Sequence, residues 1–399
     1  MVFGYLLARV IISVLFIPQY FRGEMYTAYQ LIERRFGRTL YSLTAGLFLV
    51  TRAAAEGVRV FAVSIVVAIA IGTGEIASIA IITLLTMIYT FEGGMAAVIW
   101  TDVVQMAIYV GGTLVGFFTI LHAVPGGWAT VHAMADAAGK FRVFDFSPVL
   151  HKTYTFWAGI IGGTFLTTAS HGTDQLMVQR LLAARSERQS KAALLASGVA
   201  VLFQFALFLI VGVMLFAYYG GAWTAGSSDR IFPTFIVQHM PHGISGLLIA
   251  AILAAAMSNL SAALNSLSST SIVDFYLRQN PGTSEARRLA VSRMATIVWA
   301  LVLFGLALLS RRGGRVVEVG LSIASVAYGA LLGVFLLGVL TRRASQRGTI
   351  IGMACGLTAE IYVWSATRVP WTWYVVIGTV VTFLVGYAAS TADEHGSVP

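Results

Sequence analysis

The residues best suited to chemistry lie in one apolar stretch, residues 249–276, which reads IAAILAAAMSNLSAALNSLSSTSIVDFY. Serine hydroxyls and asparagine amides recur along it, and no charged residue occurs before Asp274. Hydroxyl, amide and carbonyl oxygens are the ligands that a hard cation such as Na⁺ prefers. Small polar residues are also ordinary packing material between membrane helices. The composition of this stretch leaves both roles open.

The elements around this stretch belong to a membrane protein. The chain has 399 residues, of which 58% are hydrophobic and only 11% charged, whereas a soluble domain carries about 25% charged residues. The net charge of +9 resides mainly in short loops between apolar segments, so it does not indicate nucleic-acid binding. A single cysteine excludes an internal disulfide, and the seven histidines form no H-x-x-x-H pair. We expect no enzyme activity and no organic cofactor.

The hydropathy pattern predicts an all-α protein with about eleven transmembrane helices. The predicted spans are residues 2–21, 40–72, 75–91, 95–123, 153–182, 189–219, 243–277, 286–310, 315–341, 347–367 and 370–390. Residues 1–390 are predicted to form one transmembrane domain, and residues 391–399 a tail. Lysine and arginine are concentrated in one set of alternate loops, which places that set and the C-terminus in the cytoplasm. The predicted location is the plasma (inner) membrane.

Charged residues inside predicted spans, such as Arg52, Glu56 and Asp102, need partners, because an isolated charge in hydrocarbon is costly. Arg52 and Glu56 are four residues apart in the second span, which predicts a structural ion pair between them; a role in gating is the alternative. Asp102 enters the fourth span within GGMAAVIWTDVVQ and needs either a polar partner or a cation.

The fifth predicted span contains the second candidate site. Ser170, His171, Gly172, Thr173 and Asp174 follow one another within TFLTTASHGTDQLMVQRLLAA. The glycine and the hydroxyl-bearing residues favour an interruption of the helix. Unwound backbone inside a membrane is tolerated where it lines a cavity, and there it supplies ligands. We therefore predict that these five residues line a cavity for a solute, with a structural histidine as the alternative.

The chain resembles the sodium:solute symporter family, whose members use a Na⁺ gradient to import small organic solutes. The resemblance rests on TAYQLIERRFG, GGMAAVIWTDVVQ, TDQLMVQR and SNLSAALNSLSSTSIVDFY, which occur in the family's order. It implies a LeuT-like inverted-repeat bundle in which five helices are related to the next five. Core helices 2–10 would lie at about residues 2–341, and peripheral helices at residues 347–390.

The resemblance also implies roles for individual residues. Ser258 and Asn259 occupy positions where the family has two adjacent serines that bind Na⁺, and the Ala255 carbonyl would complete that set. Asn259 departs from the pattern. Asp102 matches an acidic position linked to Na⁺ release toward the cytoplasm.

No segment resembling the first, broken core helix is found, which favours a truncated chain. Two hypotheses follow: a sodium-coupled symporter, or a truncated or non-transporting relative that acts as a membrane sensor or scaffold. A membrane enzyme is a third and weaker hypothesis, because no nucleophile–base constellation is present. The solute and the oligomeric state are left open.

Overall fold

The computed structural model describes residues 1–22, 28–90, 95–221, 223, 226–311 and 316–396. Within these ranges the structure is helical and contains no β-strand, as predicted. The helices in chain order are α1 (Val2–Ile11), α2 (Ile17–Phe21), α3 (Ala28–Phe36), α4 (Arg38–Ile71), α5 (Glu75–Thr90), α6 (Met95–Ala123), α7 (Gly127–Ala137), α8 (Gly163–Gly172), α9 (Gln175–Leu182), α10 (Glu187–Tyr218), α11 (Ile231–His239), α12 (Ile244–Thr270), α13 (Leu277–Gln279), α14 (Glu285–Ser310), α15 (Val316–Leu340), α16 (Gln346–Ala366) and α17 (Tyr374–Gly396). Turns of π-helix and 3₁₀-helix extend several of them, at Ile12–Phe16, Ala158–Gly162, Ser228–Arg230, Ser271–Tyr276 and Trp371–Trp373.

Nine helical segments of the described chain are long and apolar enough to cross a membrane. They are Val2–Phe21, Arg38–Ile71, Trp100–Ala123, Glu187–Tyr218, Ile244–Gln279, Glu285–Ser310, Glu318–Leu340, Gln346–Ala366 and Trp371–Thr391. The predicted span at 75–91 corresponds to α5, which has 16 residues. The predicted span at 153–182 is divided between α8 and α9. The membrane character of the chain is confirmed, and the count of eleven spans stays a prediction.

Helix α4 carries the charged residues of the second predicted span. Its 34 residues extend for about 51 Å, well beyond a hydrocarbon core of about 30 Å. It must therefore tilt or protrude from the bilayer. The helix ends before Gly72, whose φ of +69° is the left-handed conformation that glycine adopts at helix C-termini.

One compact unit comprises Met1–Arg52, Phe144–Leu202 and Leu321–Pro399. Its core is aromatic at the centre, with Phe16, Tyr20 and Phe335 almost fully buried. The amphipathic sequence of residues 22–38 is typical either of a segment that lies on the membrane surface, with its aromatic side chains against lipid, or of a solvated loop. Neither interpretation holds for Tyr29 and Phe36, because both are buried in this core and Tyr29 meets the edge of Phe335. The apolar face of α3 is covered by α15 instead of lipid.

Helices α16 and α17 of this unit form a closely packed antiparallel hairpin. Gly352 on α16 faces Gly386 on α17, where an added Cβ would lie 2.7 Å from the partner's backbone. Small residues at such positions let two membrane helices approach closely. Helix α17 continues to Gly396, so the predicted tail at 391–399 begins within the helix, and residues 397–399 lie outside the described residues. The single domain predicted for 1–390 stays a prediction.

The other compact unit comprises Ala53–Val143 and Phe203–Gly320. Helix α12 packs in it against α5, α6 and α14. Gly112 on α6 allows Leu248 of α12 to approach, since a Cβ at this glycine would overlap the leucine side chain. Close contact between α6 and α12 brings the polar residues of the two helices together. At helical spacing, Ser258, Ser261, Asn265 and Ser269 share one face of α12. Ser258 and Ser261 are buried, whereas Asn265 and Ser269 are exposed.

Candidate functional site

The predicted ion site has two of its members in direct contact. Ser258 on α12 donates a hydrogen bond from Oγ to Oδ1 of Asp102 on α6, over 3.1 Å. Ser258 is 3% exposed, and both residues lie in membrane-spanning segments. Asp102 therefore has the polar partner that its position in hydrocarbon required. A carboxylate beside a hydroxyl is a pair of oxygen ligands that suits a hard cation.

The two other predicted ligands are bonded to each other. The side-chain amide of Asn259 donates from Nδ2 to the carbonyl oxygen of Ala255, over 3.0 Å. A carbonyl oxygen has two lone pairs, and the backbone N–H of the fourth residue along the helix already uses one of them. The Ala255 carbonyl can bind a cation only after Asn259 has released it. The exposed side chain of Asn259 has the freedom to turn its own amide oxygen toward a cation instead.

A cavity of about 410 Å³ lies beside these two residues, entirely within the second unit. Its wall is formed by α4, α5, α6, α10, α11 and α12, and most of the lining is apolar. The side chains that bring polar atoms to this wall are Glu56, Arg59, Tyr109, Thr113 and Asn259. Small-molecule sites are typically apolar cavities of about 300–1,000 Å³ with a few polar groups, so the volume and the lining suit a small organic molecule.

Arg52 and Glu56 of α4 are buried as predicted, and each has a close charged neighbour other than the predicted partner. Glu56 is 1% exposed and lies 2.5 Å from Arg59, which is one turn away on the same helix. Arg52 is also buried, and its Nη1 lies 3.7 Å from Asp174. The Arg52–Glu56 ion pair stays a prediction. Sequence reasoning gave Arg59 no partner, although its spacing of three residues from Glu56 was a usable signal.

The predicted interruption in the first unit occurs at Thr173. Helix α8 ends at Gly172, Thr173 has φ −121° and ψ −13°, and Asp174 is extended at φ −74° and ψ 129°. Helix α9 then begins at Gln175. The hydroxyl of Tyr20 on α2 donates to the Gly172 carbonyl over 2.5 Å. This tyrosine was missed by sequence reasoning, because nothing in the chain marks a partner 152 residues away.

The five predicted solute-lining residues divide into two groups. Ser170 and His171 are half-buried, and the serine hydroxyl lies 2.9 Å from Nδ1 of the histidine. Gly172, Thr173 and Asp174 are buried. Thr173 turns its hydroxyl back to the Ala169 carbonyl over 2.8 Å. The first pair has the accessibility that contact with a solute requires, whereas the buried three hold the interruption in place.

Asp174 is the anchor of the interruption. Its Oδ1 accepts from the backbone N–H of Leu176 over 3.0 Å and so caps α9. Its Oδ2 accepts from the hydroxyl of Tyr328 on α15 over 3.3 Å. With the Arg52 guanidinium 3.7 Å away, the carboxylate joins α4, α9 and α15. Its predicted contact with solute stays a prediction.

Comparison with known proteins identifies the family. A model of the sodium:solute symporter family matches residues 1–356. The chain belongs to the sodium:solute symporter family. The LeuT-like fold agrees with a solved structure of a Na⁺-coupled sialic acid symporter in a substrate-bound outward-open state, described as revealing a novel Na⁺-site. That structure superposes with a TM-score of 0.84 at 26% identity, and covers 98% of this chain and 83% of that one.

Curated relatives of the chain are named for different solutes. The human sodium/iodide cotransporter is 27% identical over 91% of this chain, and the rabbit (Oryctolagus cuniculus) sodium-dependent multivitamin transporter is 28% identical over 90%. The sodium/sialic acid symporter NanT of Aliivibrio fischeri is 28% identical over 93%. The chain spans 58%, 57% and 75% of the lengths of these three relatives, respectively.

Proposed function

We propose that this chain acts as a sodium-coupled secondary symporter that imports a small organic solute by alternating access. The contact between Ser258 and Asp102 is the single observation that carries the proposal most directly. It joins two residues 156 positions apart that were predicted separately, and it places a carboxylate and a hydroxyl together in a chain of this family. The proposed location is the plasma (inner) membrane, with the C-terminus in the cytoplasm.

The ion site would use oxygens from α12 and α6. In the proposed site Na⁺ is bound by the Ser258 hydroxyl, the Ala255 carbonyl and the Asn259 amide oxygen. Ser258 can donate its hydroxyl hydrogen to Asp102 and direct an oxygen lone pair toward the ion at the same time. The role proposed for Asp102 in release is therefore electrostatic: its carboxylate lies beside the ion site and attracts Na⁺ as the ion leaves its other ligands.

The solute site would use the interruption between α8 and α9. Ser170 and His171 supply polar contacts from their half-buried positions, and Gly172, Thr173 and Asp174 maintain the local unwinding. Supporting this, irregular backbone inside a membrane is found where it is buried in protein or lines a cavity.

The proposal is tested by Na⁺-driven uptake into liposomes that contain the 399-residue chain. A radiolabelled panel would include a monocarboxylate and sialic acid, with an inward Na⁺ gradient and with the gradient collapsed. We expect Ser258→Ala to weaken the dependence of uptake on Na⁺ concentration, and Asp102→Asn to slow turnover. Ser268→Ala is the matched control, since this buried serine of α12 donates its hydroxyl hydrogen to the Ser292 carbonyl and not to a carboxylate.

Two outcomes would contradict the proposal. Unchanged Na⁺ dependence in Ser258→Ala would show that the ion binds elsewhere. No gradient-driven uptake of any panel member by a folded chain would favour the alternative, a non-transporting sensor or scaffold. The hydrogen bond between Asn259 and the Ala255 carbonyl favours that alternative, because it occupies one of the proposed ligands.

A further inference from the structure

A buried glutamate on α16 lies outside both sites described above. Glu360 is 0% exposed, and neither of its carboxylate oxygens accepts a hydrogen bond of normal geometry from a described residue. No ion pair found among the described residues includes it. It also lies beyond residue 356, where the match to the family ends. An ionisable residue at such a position in a membrane-spanning helix calls for a functional explanation.

The carboxyl group fills a recess between two glycines. Gly329 on α15 and Gly378 on α17 both face it, and a Cβ at either position would overlap the carboxyl group of Glu360. The backbone N–H groups of Gly329 and Ala330 lie beside it. Both residues are inside α15 and already donate to carbonyls one turn earlier. The recess therefore fits the carboxyl group closely, but its backbone N–H groups are already used within α15.

No ion pair within the described part of the chain balances a negative charge at Glu360. The other described titratable or charged side chains on the packed helices α15, α16 and α17, and on α8, which packs against α17, are Glu318, Tyr328, Arg347, Cys355, Tyr362, Tyr374, Tyr387 and His171. Arg347 is the basic residue among them on α16, and 13 positions along a helix separate it from Glu360 by about 20 Å. Tyr328 donates to Asp174, and Tyr362 is 63% exposed.

We propose that Glu360 is a proton-binding site and that the packing of α15, α16 and α17 accepts its neutral carboxylic acid form. The ionised form would be a desolvated charge without hydrogen bonds, which is the costliest state for a carboxyl group in a protein interior. A metal ion is not the favoured occupant, because the carboxyl group itself fills the space above both glycines and the described residues contain no group of three His, Cys, Asp or Glu side chains that could hold a metal ion. Release of the proton therefore requires the α16–α17 hairpin to separate from α15.

The protonation state is read by infrared difference spectroscopy of the folded chain at neutral pH. We expect the spectrum of wild type minus Glu360→Gln to contain the carbonyl stretch of a carboxylic acid, which shifts in D₂O. Glu56→Gln is the matched control: Glu56 is equally buried in a span but has Arg59 2.5 Å away, so its difference spectrum should contain carboxylate bands alone. Carboxylate bands from Glu360 would overturn the proposal.

A second measurement follows the unfolding equilibrium from pH 5 to pH 9. An unfolded glutamate ionises above about pH 4.3, whereas the folded site keeps its proton, so the unfolded state binds fewer protons as pH rises. Wild type should lose stability relative to Glu360→Gln, with the ratio of unfolding constants growing by up to about tenfold per pH unit. Parallel curves would contradict the proposal. Loss of the acid band on adding Na⁺ at constant pH would assign the site to a metal cation and overturn it as well.

Discussion

Replacing Asp174 with asparagine separates the charge of this residue from its shape. Asparagine keeps an oxygen that can accept from the Leu176 N–H, so the cap of α9 survives. The variant loses the negative charge that faces the Arg52 guanidinium at 3.7 Å, where both side chains are at least 90% buried. Removing one partner of a buried pair costs about 3–5 kcal/mol where the other charge is left uncompensated. We expect a loss no larger than the lower end of this range, because Arg52 keeps other interactions and Tyr328 can still donate to the new amide.

The comparison with Asp174→Ala separates the cap from the charge. Alanine removes both, and loss of an N-cap adds about 0.5–2 kcal/mol. The matched control is Asp145→Asn: Asp145 accepts from the backbone N–H two residues on, over 3.0 Å, and pairs with Lys152 at 2.6 Å, but this pair is solvent-exposed. An exposed ion pair contributes little to stability, because solvent screens it.

Chemical unfolding in detergent micelles, monitored by circular dichroism, gives the free-energy differences for the three variants. We expect Asp174→Ala to be the least stable, Asp174→Asn to follow, and Asp145→Asn to resemble wild type. If Asp174→Asn lost no more stability than the exposed control, the negative charge of Asp174 would not be what holds the interruption. The cap alone would then explain its position.

Other predictions concern packing, hydrogen bonding and pH. Gly352→Ala should destabilise the α16–α17 hairpin, because its Cβ would overlap α17. Gly305→Ala on α14 is the control: its Cβ meets open space, so it should be neutral or stabilising by up to about 1 kcal/mol. Thermal unfolding measures both variants. Tyr20→Phe removes the donor to the carbonyl at the end of α8 and should cost about 1–3 kcal/mol in the same assay. The hydrogen bond from Lys152 lowers the pKa of Asp145. The order that this bond gives to loop residues 145–152 should therefore be complete above about pH 4 and decrease as pH falls further. Hydrogen exchange of the loop amides measures it.

Local sequence patterns predicted the features that depend on neighbouring residues. The interruption after Gly172 was predicted because a glycine among hydroxyl-bearing residues weakens a helix, and the structure breaks at Thr173. Burial of Glu56 followed from the cost of a charge in hydrocarbon. Asp102 was predicted to need a partner or a cation for the same reason, and it has Ser258.

Partners that are distant in the chain could not be predicted. Arg52 and Asp174 are far apart in sequence, and helical periodicity says nothing about contacts between helices. The amphipathic pattern of α3 showed that one face would be covered, but it could not distinguish lipid from the core residue Phe335 that meets Tyr29. The hydrogen bond between Asn259 and the Ala255 carbonyl depends on a side-chain rotamer, which residue types do not specify.

An interrupted helix has two additional ends with opposite partial charges, because the peptide dipoles are no longer aligned in one continuous row. At the interruption between α8 and α9, the Asp174 carboxylate lies at the positive end of α9, and the Tyr20 hydroxyl hydrogen meets the negative end of α8. Both ends are thus neutralised by protein groups. In the proposed symporter, this arrangement would let the interruption keep its shape whether or not a solute is bound beside it.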